Sequence, residues 1–135
     1  MLKAVLDTNV FISGMFWKGD CEKILRMWFN DKFILISSLE IIQELIDVLL
    51  NFKIRMNIDD IIWWRDLILE KAMLVFPKIK IDIVKEDKED NKFIEAAIEG
   101  KADFIVTQDK HLLKIKEYNG VKIIHPKEFL KILKK

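Results

Sequence analysis

The residues in this chain best placed to do chemistry are carboxylates. Asp7 ends the apolar run Leu2-Lys3-Ala4-Val5-Leu6, and Asp109 follows Phe104-Ile105-Val106 after Thr107 and Gln108. Both runs read as buried strands, so each acid stands at or just past a strand's carboxyl end. Asp90 precedes Phe93 and Ile94 by three and four residues and Ala97 by seven. That spacing puts it near the middle of a helix's apolar stripe. A charge aimed at a core is costly unless something pairs with it. Each acid also has a plainer account. Asp7 and Asp109 could cap the helices that follow them. Asp90 could serve the helix dipole from the first turn, which explains an acid there but not its inward side. Asp87, three residues earlier, is the better capping candidate. Glu44 sits at the boundary between the apolar arc Ile41, Ile42, Leu45, Ile46, Val48, Leu49 and the polar side Glu40, Gln43, Asp47, Asn51. Periodicity alone favours an ordinary solvated acid at Glu44 and does not separate it from its acidic neighbours.

Several carboxylates sharing one crevice repel each other, which raises and couples their protonation. A hard divalent cation relieves this. Oxygen donors with neither Cys nor His beside them suit Mg2+ or Mn2+ rather than zinc. A carboxylate-held ion of this kind activates water and neutralises charge on a phosphodiester. The residues therefore point to metal-dependent phosphodiester hydrolysis.

Composition narrows the alternatives. The chain has 135 residues, 51% of them apolar and 33% charged, with one Cys and two His. That length suits a single domain, 1–135, with its own core. One cysteine, Cys21, excludes an internal disulfide framework and a Cys-rich zinc site. Lys and Arg number 23 against 22 Asp and Glu, a net charge of +1. Binding by bulk positive charge is thereby excluded, although a local basic patch is not. No apolar run reaches the roughly 18 residues of a membrane span. The opening MLKAVLDTN meets an acid too early for a signal peptide. A soluble, cytoplasmic protein is expected.

The elements that must position the acids follow from periodicity and caps. Strands are predicted at 2–6, 33–36, 74–76, 104–106 and 121–124, the third ended by Pro77. Helices are predicted at 20–29, from about 38 to 50, at 59–73 and at 88–99, with a short one through Leu113. A closing helix begins at Pro126, with Phe129, Leu130 and Leu133 inward. Ser37 precedes Glu40 by three, a capping-box spacing. Gly100 reads as the residue that closes the 88–99 helix. Alternating strands and helices argue for an α/β fold with a mostly parallel sheet. In such sheets the functional crevice lies beyond the strands' carboxyl ends, where Asp7 and Asp109 stand.

These stretches together resemble the PIN-domain family of ribonucleases over nearly the whole chain. "LDTNVFIS" (Leu6 to Ser13) resembles its first motif, with Asp7 as a metal ligand. "SSLEIIQELIDVL" (Ser37 to Leu49) is similar to the helix carrying the second acid, at Glu44. "EDKEDNKFIEAA" (Glu86 to Ala97) resembles the third, with Asp90. "ADFIVTQDKHLL" (Ala102 to Leu113) is similar to the fourth, with Asp109 and a supporting Thr107. One such motif is weak; four in order are specific. The resemblance, not the periodicity, selects Glu44 over Glu40 and Asp47. It implies an α/β/α sandwich around a mostly parallel twisted sheet, homodimers, and Mg2+- or Mn2+-dependent RNA cleavage leaving a 5′-phosphate and a 3′-hydroxyl. Within the family the resemblance is to VapC-like toxins, which implies an antitoxin partner. One departure is Gln108, where many relatives have Gly, so the loop before Asp109 is expected to be constrained differently.

Other residues have two readings. Lys18, Lys88, Lys92, Lys110, Lys114 and Lys116 flank the acids and could position an RNA backbone; exposed lysines also simply solvate helices. Lys110, beside Asp109, is the best single candidate. Asn9 and Asn91 adjoin acids and could bond metal-held waters or phosphate, or cap helices. Trp17, in a loop, could stack a base or cover the core edge. Trp63 and Trp64 diverge by 100° on a helix, so one of them must leave the core for solvent or a partner. Two rival functions remain: an RNA-processing nuclease outside any toxin pair, and a non-catalytic, receiver-like regulatory module. The second needs an acceptor Asp after a middle strand, and none follows Phe33–Ile36.

Overall fold

The computed structural model describes residues 1–51, 56–85 and 88–135. Among these, six strands form one sheet in the order β3-β2-β1-β4-β6-β5. The strands are β1 (Lys3–Leu6), β2 (Ile34–Ser37), β3 (Met73–Leu74), β4 (Phe104–Val106), β5 (Glu117–Tyr118) and β6 (Val121–Ile124). All neighbours pair in parallel except β5 with β6. The helices are α1 (Thr8–Phe16), α2 (Asp20–Phe29), α3 (Leu39–Asn51), α4 (Ile58–Lys71), α5 (Asn91–Glu99), α6 (Lys110–Leu113) and α7 (Pro126–Leu133), with a 3-10 turn at Lys88–Asp90 before α5. The fold is the mixed α/β arrangement with a mostly parallel sheet that the alternation predicts.

The central strands are short and apolar because both faces are covered. On one face Leu6, Leu35 and Val106 pack with Phe11, Trp28, Ile42, Ile68 and Phe129. On the other, Val5, Ile36 and Ile105 pack with Phe93, Ile94, Ala97 and Val84. Alternate residues of each strand thus feed opposite layers. The chain leaves β1 for β2 on one side and returns to β4 on the other. This switch point opens a crevice at the carboxyl edge between β1 and β4.

Several local expectations change. The sequence pattern assigns no element to 8–16, yet α1 forms there. Its apolar residues Val10, Phe11, Ile12, Met15 and Phe16 lie on every side, so the segment shows no amphipathic period. The residue capping α3 is Ser38, whose Oγ accepts from the Ile41 N–H at 3.3 Å, while Ser37 is the last residue of β2. The third strand is two residues long and ends before Val75. The hairpin strand β5 is unpredicted; Asn119 and Gly120, at φ 50° and 85°, form its turn. Asn-Gly before an apolar run is the signal that announces such a turn. Gly100 closes α5 in a right-handed conformation, φ −86°, and the positive φ falls on Lys101. Gly100 is needed for space instead: a Cβ there would stand 2.8 Å from Ile36 Cδ1. Asp87, the capping candidate, and Glu86, which opens the third motif, lie outside the described residues.

Segment 75–85 has no regular hydrogen-bonded pattern of its own. It crosses α5 and is held by one stripe of that helix. Asn91 Oδ1 accepts from the Ile83 and Val84 N–H groups at 3.0 and 2.9 Å. Glu95 accepts from Ile81 N–H at 2.9 Å and Glu99 from Lys78 N–H at 3.1 Å. The i, i+4, i+8 spacing aligns three acceptors along the crossing chain. This covering explains why α5 is buried from Asn91 to Ala97.

Candidate active site

Three of the expected acids, Asp7, Asp109 and Glu44, come together at the carboxyl edge of β1 and β4. Asp7 caps α1, with Oδ1 accepting from the Asn9 N–H at 2.8 Å. Its Oδ2 accepts from the Thr107 hydroxyl at 2.5 Å. The same Thr107 Oγ1 accepts from the Asp109 N–H at 2.9 Å. Thr107 thus ties the ends of two adjacent strands and sets the two acids side by side. Asp109 caps α6 by accepting from the His111 N–H at 2.7 Å. The capping accounts of Asp7 and Asp109 are therefore correct, and they do not exclude a second role. Each cap uses one carboxylate oxygen; the other oxygen of Asp7 is the one bonded to Thr107.

Glu44 reaches this edge from α3. One oxygen, Oε2, accepts from the hydroxyl of Thr8, the residue after Asp7. The other, Oε1, lies 2.6 Å from Lys92 Nζ. Glu40 and Asp47 do neither: Glu40 is exposed, and Asp47 pairs with Gln43 of its own helix. Asp90 is 8% exposed. It stands before α5 with helical backbone angles and does not cap that helix. Since α5 packs on β1 and β4, and Lys92 two residues on touches Glu44, the start of α5 is brought to the same edge.

The electrostatics follow from this gathering. Burial pushes the Asp7 carboxyl above its ordinary pKa. Hydrogen bonds from Thr107 and the Asn9 N–H pull it back, and the charges of Asp109 and Glu44 push it up again, for a net rise. Burial acts to lower the Lys92 ammonium, but the hydrogen bond and charge of Glu44, then those of Glu89, outweigh it and raise the pKa. Asp7 therefore senses two further acids, while Lys92 answers one of them.

Two sequence expectations are corrected here. Lys92 is not an exposed phosphate contact. Its side chain is 4% exposed and ion-paired inside the molecule. Asn91 does not offer its amide to the crevice. Its Oδ1 holds segment 83–84, and its Nδ2 donates to the Val84 and Lys88 carbonyls at 3.3 and 3.1 Å. Asn9 and Lys110 are exposed, Asn9 beside Asp109 on a groove wall. Gln108 does not take a positive φ, so the loop to Asp109 closes without glycine. Two contributors were missed in the sequence, Thr8 and the pairing role of Lys92. A hydroxyl next to Asp7 and a lysine next to a buried stripe were visible, but only packing shows what they meet.

Among the described residues, no group of three or more His, Cys, Asp or Glu side chains is already arranged to hold a metal ion. Three of the carboxylates instead turn an oxygen to a partner: Asp7 to Thr107, Asp109 to His111, Glu44 to Lys92 and Thr8. The donor set fits a hard divalent cation in chemistry and in charge, since added positive charge would relieve the repulsion felt at Asp7. An open groove of about 390 Å³ leads to Asp109, lined by Asn9, Ile12, Ser13, Trp17 and Gln108. It shares Ser13, Trp17 and Gln108 with a second groove that continues to Lys18 and His125. Trp17 is half exposed on this wall.

Comparison with known proteins gives consistent results. The sequence profile of the PIN domain matches residues 3–111. An uncharacterised protein of Methanocaldococcus jannaschii is 32% identical over 146 residues, covering 99% of this chain and 93% of that one. VapBC2 from Rickettsia felis, bound to a DNA fragment from their promoter, has a chain of similar fold with a TM-score of 0.61 at 13% identity, covering 92% of this chain and 98% of that one. VapBC-1 from nontypeable Haemophilus influenzae gives 0.62 at 16%, covering 93% and 99%. PAE2754 from Pyrobaculum aerophilum gives 0.60 at 14%, covering 98% and 97%. At these identities the solved structures speak to the fold alone.

Proposed function

Because this chain belongs to the PIN-domain family, we propose that it is a Mg2+- or Mn2+-dependent endoribonuclease and the toxin half of a toxin–antitoxin pair, with residues 1–135 acting as one domain. The observation that carries this reading is the gathering of Asp7, Asp109 and Glu44 at one sheet edge, where the latter two raise the former. A structural capping set has no need to converge.

In this reading Asp7, Asp90 and Asp109 hold the ion, and Glu44 adds charge beside Asp7 and orients water. A bound divalent ion would supply a polarised water and neutralise the phosphate. The chain's own residues prepare the rest. Thr107 and the Asn9 N–H fix the direction of the Asp7 carboxylate. The His111 N–H does the same for Asp109. The groove along Asn9, Trp17 and Gln108 receives a single strand, with the exposed ring of Trp17 as a stacking face and Lys110 as a phosphate contact.

Two of the proteins of similar fold are VapBC assemblies, which supports an antitoxin as partner. A homodimer is supported by the exposed apolar residues of α4, Ile58, Ile62, Trp63 and Leu69. Trp64, by contrast, turns inward against Phe29, ring centres 5.7 Å apart. No helix among the described residues is long and apolar enough to cross a membrane, and a cytoplasmic location is part of the proposal.

The test is a purified protein, a mixed RNA pool, and Mg2+ or Mn2+ against EDTA, with sequencing of the cut ends. Metal-dependent cleavage leaving 5′-phosphates supports the reading. An absence of cleavage at millimolar metal overturns it in favour of a binding module. Cleavage without toxicity on expression favours an RNA-processing nuclease outside a toxin pair.

A further inference from the structure

Lys92 is a buried cation set between two glutamates. Its Nζ lies 2.6 Å from Glu44 Oε1 and 3.4 Å from Glu89 Oε2. It also stands 5.8 Å from the centre of the Phe93 ring. The side chain is 4% exposed, against 26% for Glu44 and 79% for Glu89. Taking an ammonium out of water costs several kcal/mol unless a partner of good geometry offsets it. A lysine at the surface would provide the same charge without that cost. Burial adds a fixed position, and the position is under Glu44. The remaining Glu44 oxygen is held by Thr8, which adjoins Asp7. Both oxygens of this carboxylate are thus engaged, one from α5 and one from α1.

We propose that Lys92 is a positioning residue: it locks the Glu44 carboxylate against Thr8, beside Asp7, and keeps it from swinging into direct coordination of the ion. The inference rests on the nuclease reading for the identity of that ion. Glutamate is long and flexible. Without the ammonium, Oε1 would lose its partner and be free to turn toward a divalent ion held by the neighbouring acids. The signature is a dissociation between binding and turnover. Metal should bind more tightly when Lys92 is neutralised, while cleavage slows because Glu44 has left its post. A lysine that merely supported packing would weaken both together.

The experiment compares wild type, Lys92→Met, Lys92→Arg, Glu44→Gln and the double variant Lys92→Met/Glu44→Gln. Mn2+ affinity is titrated without RNA, the melting temperature is read without metal, and kcat and KM are measured separately. For Lys92→Met we expect Mn2+ Kd to fall severalfold and kcat to fall about tenfold, the low end for loss of a group that orients a metal-site residue, with KM nearly unchanged. Lys92→Arg should restore most of both. In the Glu44→Gln background the same lysine change should tighten Mn2+ far less, which separates an effect through Glu44 from simple removal of a nearby charge. If Lys92→Met does not fold, Lys92→Gln carries the same comparison. Unchanged or weaker Mn2+ binding overturns the proposal, as does equal tightening in both backgrounds. If the wild type binds Mn2+ but cleaves no RNA while the variants still show the expected changes in Mn2+ affinity, the nuclease reading is overturned and Lys92 keeps its role. A wild type that binds no Mn2+ overturns both.

Discussion

Acids at strand ends and an acid on a helix reach the same edge by different routes. Asp7 and Asp109 follow neighbouring parallel strands, and one threonine hydroxyl joins them. Glu44 and Asp90 come from separate stretches of chain, α3 and the 3-10 turn that leads into α5. Strand-end acids are placed by the sheet: once β1 pairs with β4, Leu6 with Val106, the residues that follow have little freedom. Helix-borne acids are placed by the roll and tilt of the helix. A few degrees decide whether a boundary residue faces water or the crevice. The strand pair should therefore tolerate almost no chemical change without loss of activity, while the helix pair should depend on its supports.

The largest effect expected from this contrast is at Asp7. Asp7→Asn should lower metal-dependent cleavage by roughly two to three orders of magnitude, the scale for removing a group that stabilises developing charge. It should not lower the melting temperature of the metal-free protein much, because it also removes a buried charge that Asp109 and Glu44 oppose. A large loss of stability with activity retained would reverse the assignment. Next comes Glu44→Gln, expected to slow cleavage about tenfold or more, within the range for orienting groups at a metal site, while Glu40→Gln has no effect. Equal effects would mean that the helix acid was wrongly chosen.

Asn91 sharpens the comparison from the other side of α5. Asn91→Ala should cost about 1–3 kcal/mol, the penalty for leaving buried donors unmet, since the Ile83 and Val84 N–H groups lose their acceptor. Denaturant unfolding would measure it, and Mn2+ affinity should stay as in wild type. A changed affinity at normal stability would return Asn91 to the crevice.

The smallest effect is alkaline. Burial first, then the charges of Asp20 and Asp7, push the Cys21 thiol from its ordinary 9.0 up to about 11. The folded state thus favours the neutral thiol. Its contribution is complete below pH 9.0 and is lost as pH rises toward about 11. Replacing it by Cys21→Ala should flatten the fall in melting temperature across that window. The wild-type thiol should also alkylate slowly at neutral pH, because thiolate is scarce. Fast labelling would show that the α1–α2 contact opens readily.

Much of this molecule was legible in its sequence, unevenly. Apolar runs of strand length, alternating with amphipathic stretches, determined an α/β layer order, since each type of element can bury its apolar face in few ways. The acids after Leu6 and Val106 marked the edge where the two strands bring their ends together, for the same reason. The helix α1 was not legible, because a segment apolar on every side has no period to read. The jobs of Asn91 and Lys92 were not legible either. Adjacent on α5, both polar and both near an acid, they look alike in one dimension. Packing assigns one to the backbone of 83–84 and the other to Glu44. The choice of Glu44 among the α3 acids needed the resemblance, and its contacts needed the fold. A side chain's type is local, but what it meets depends on how distant elements are stacked, and only the assembled layers decide that.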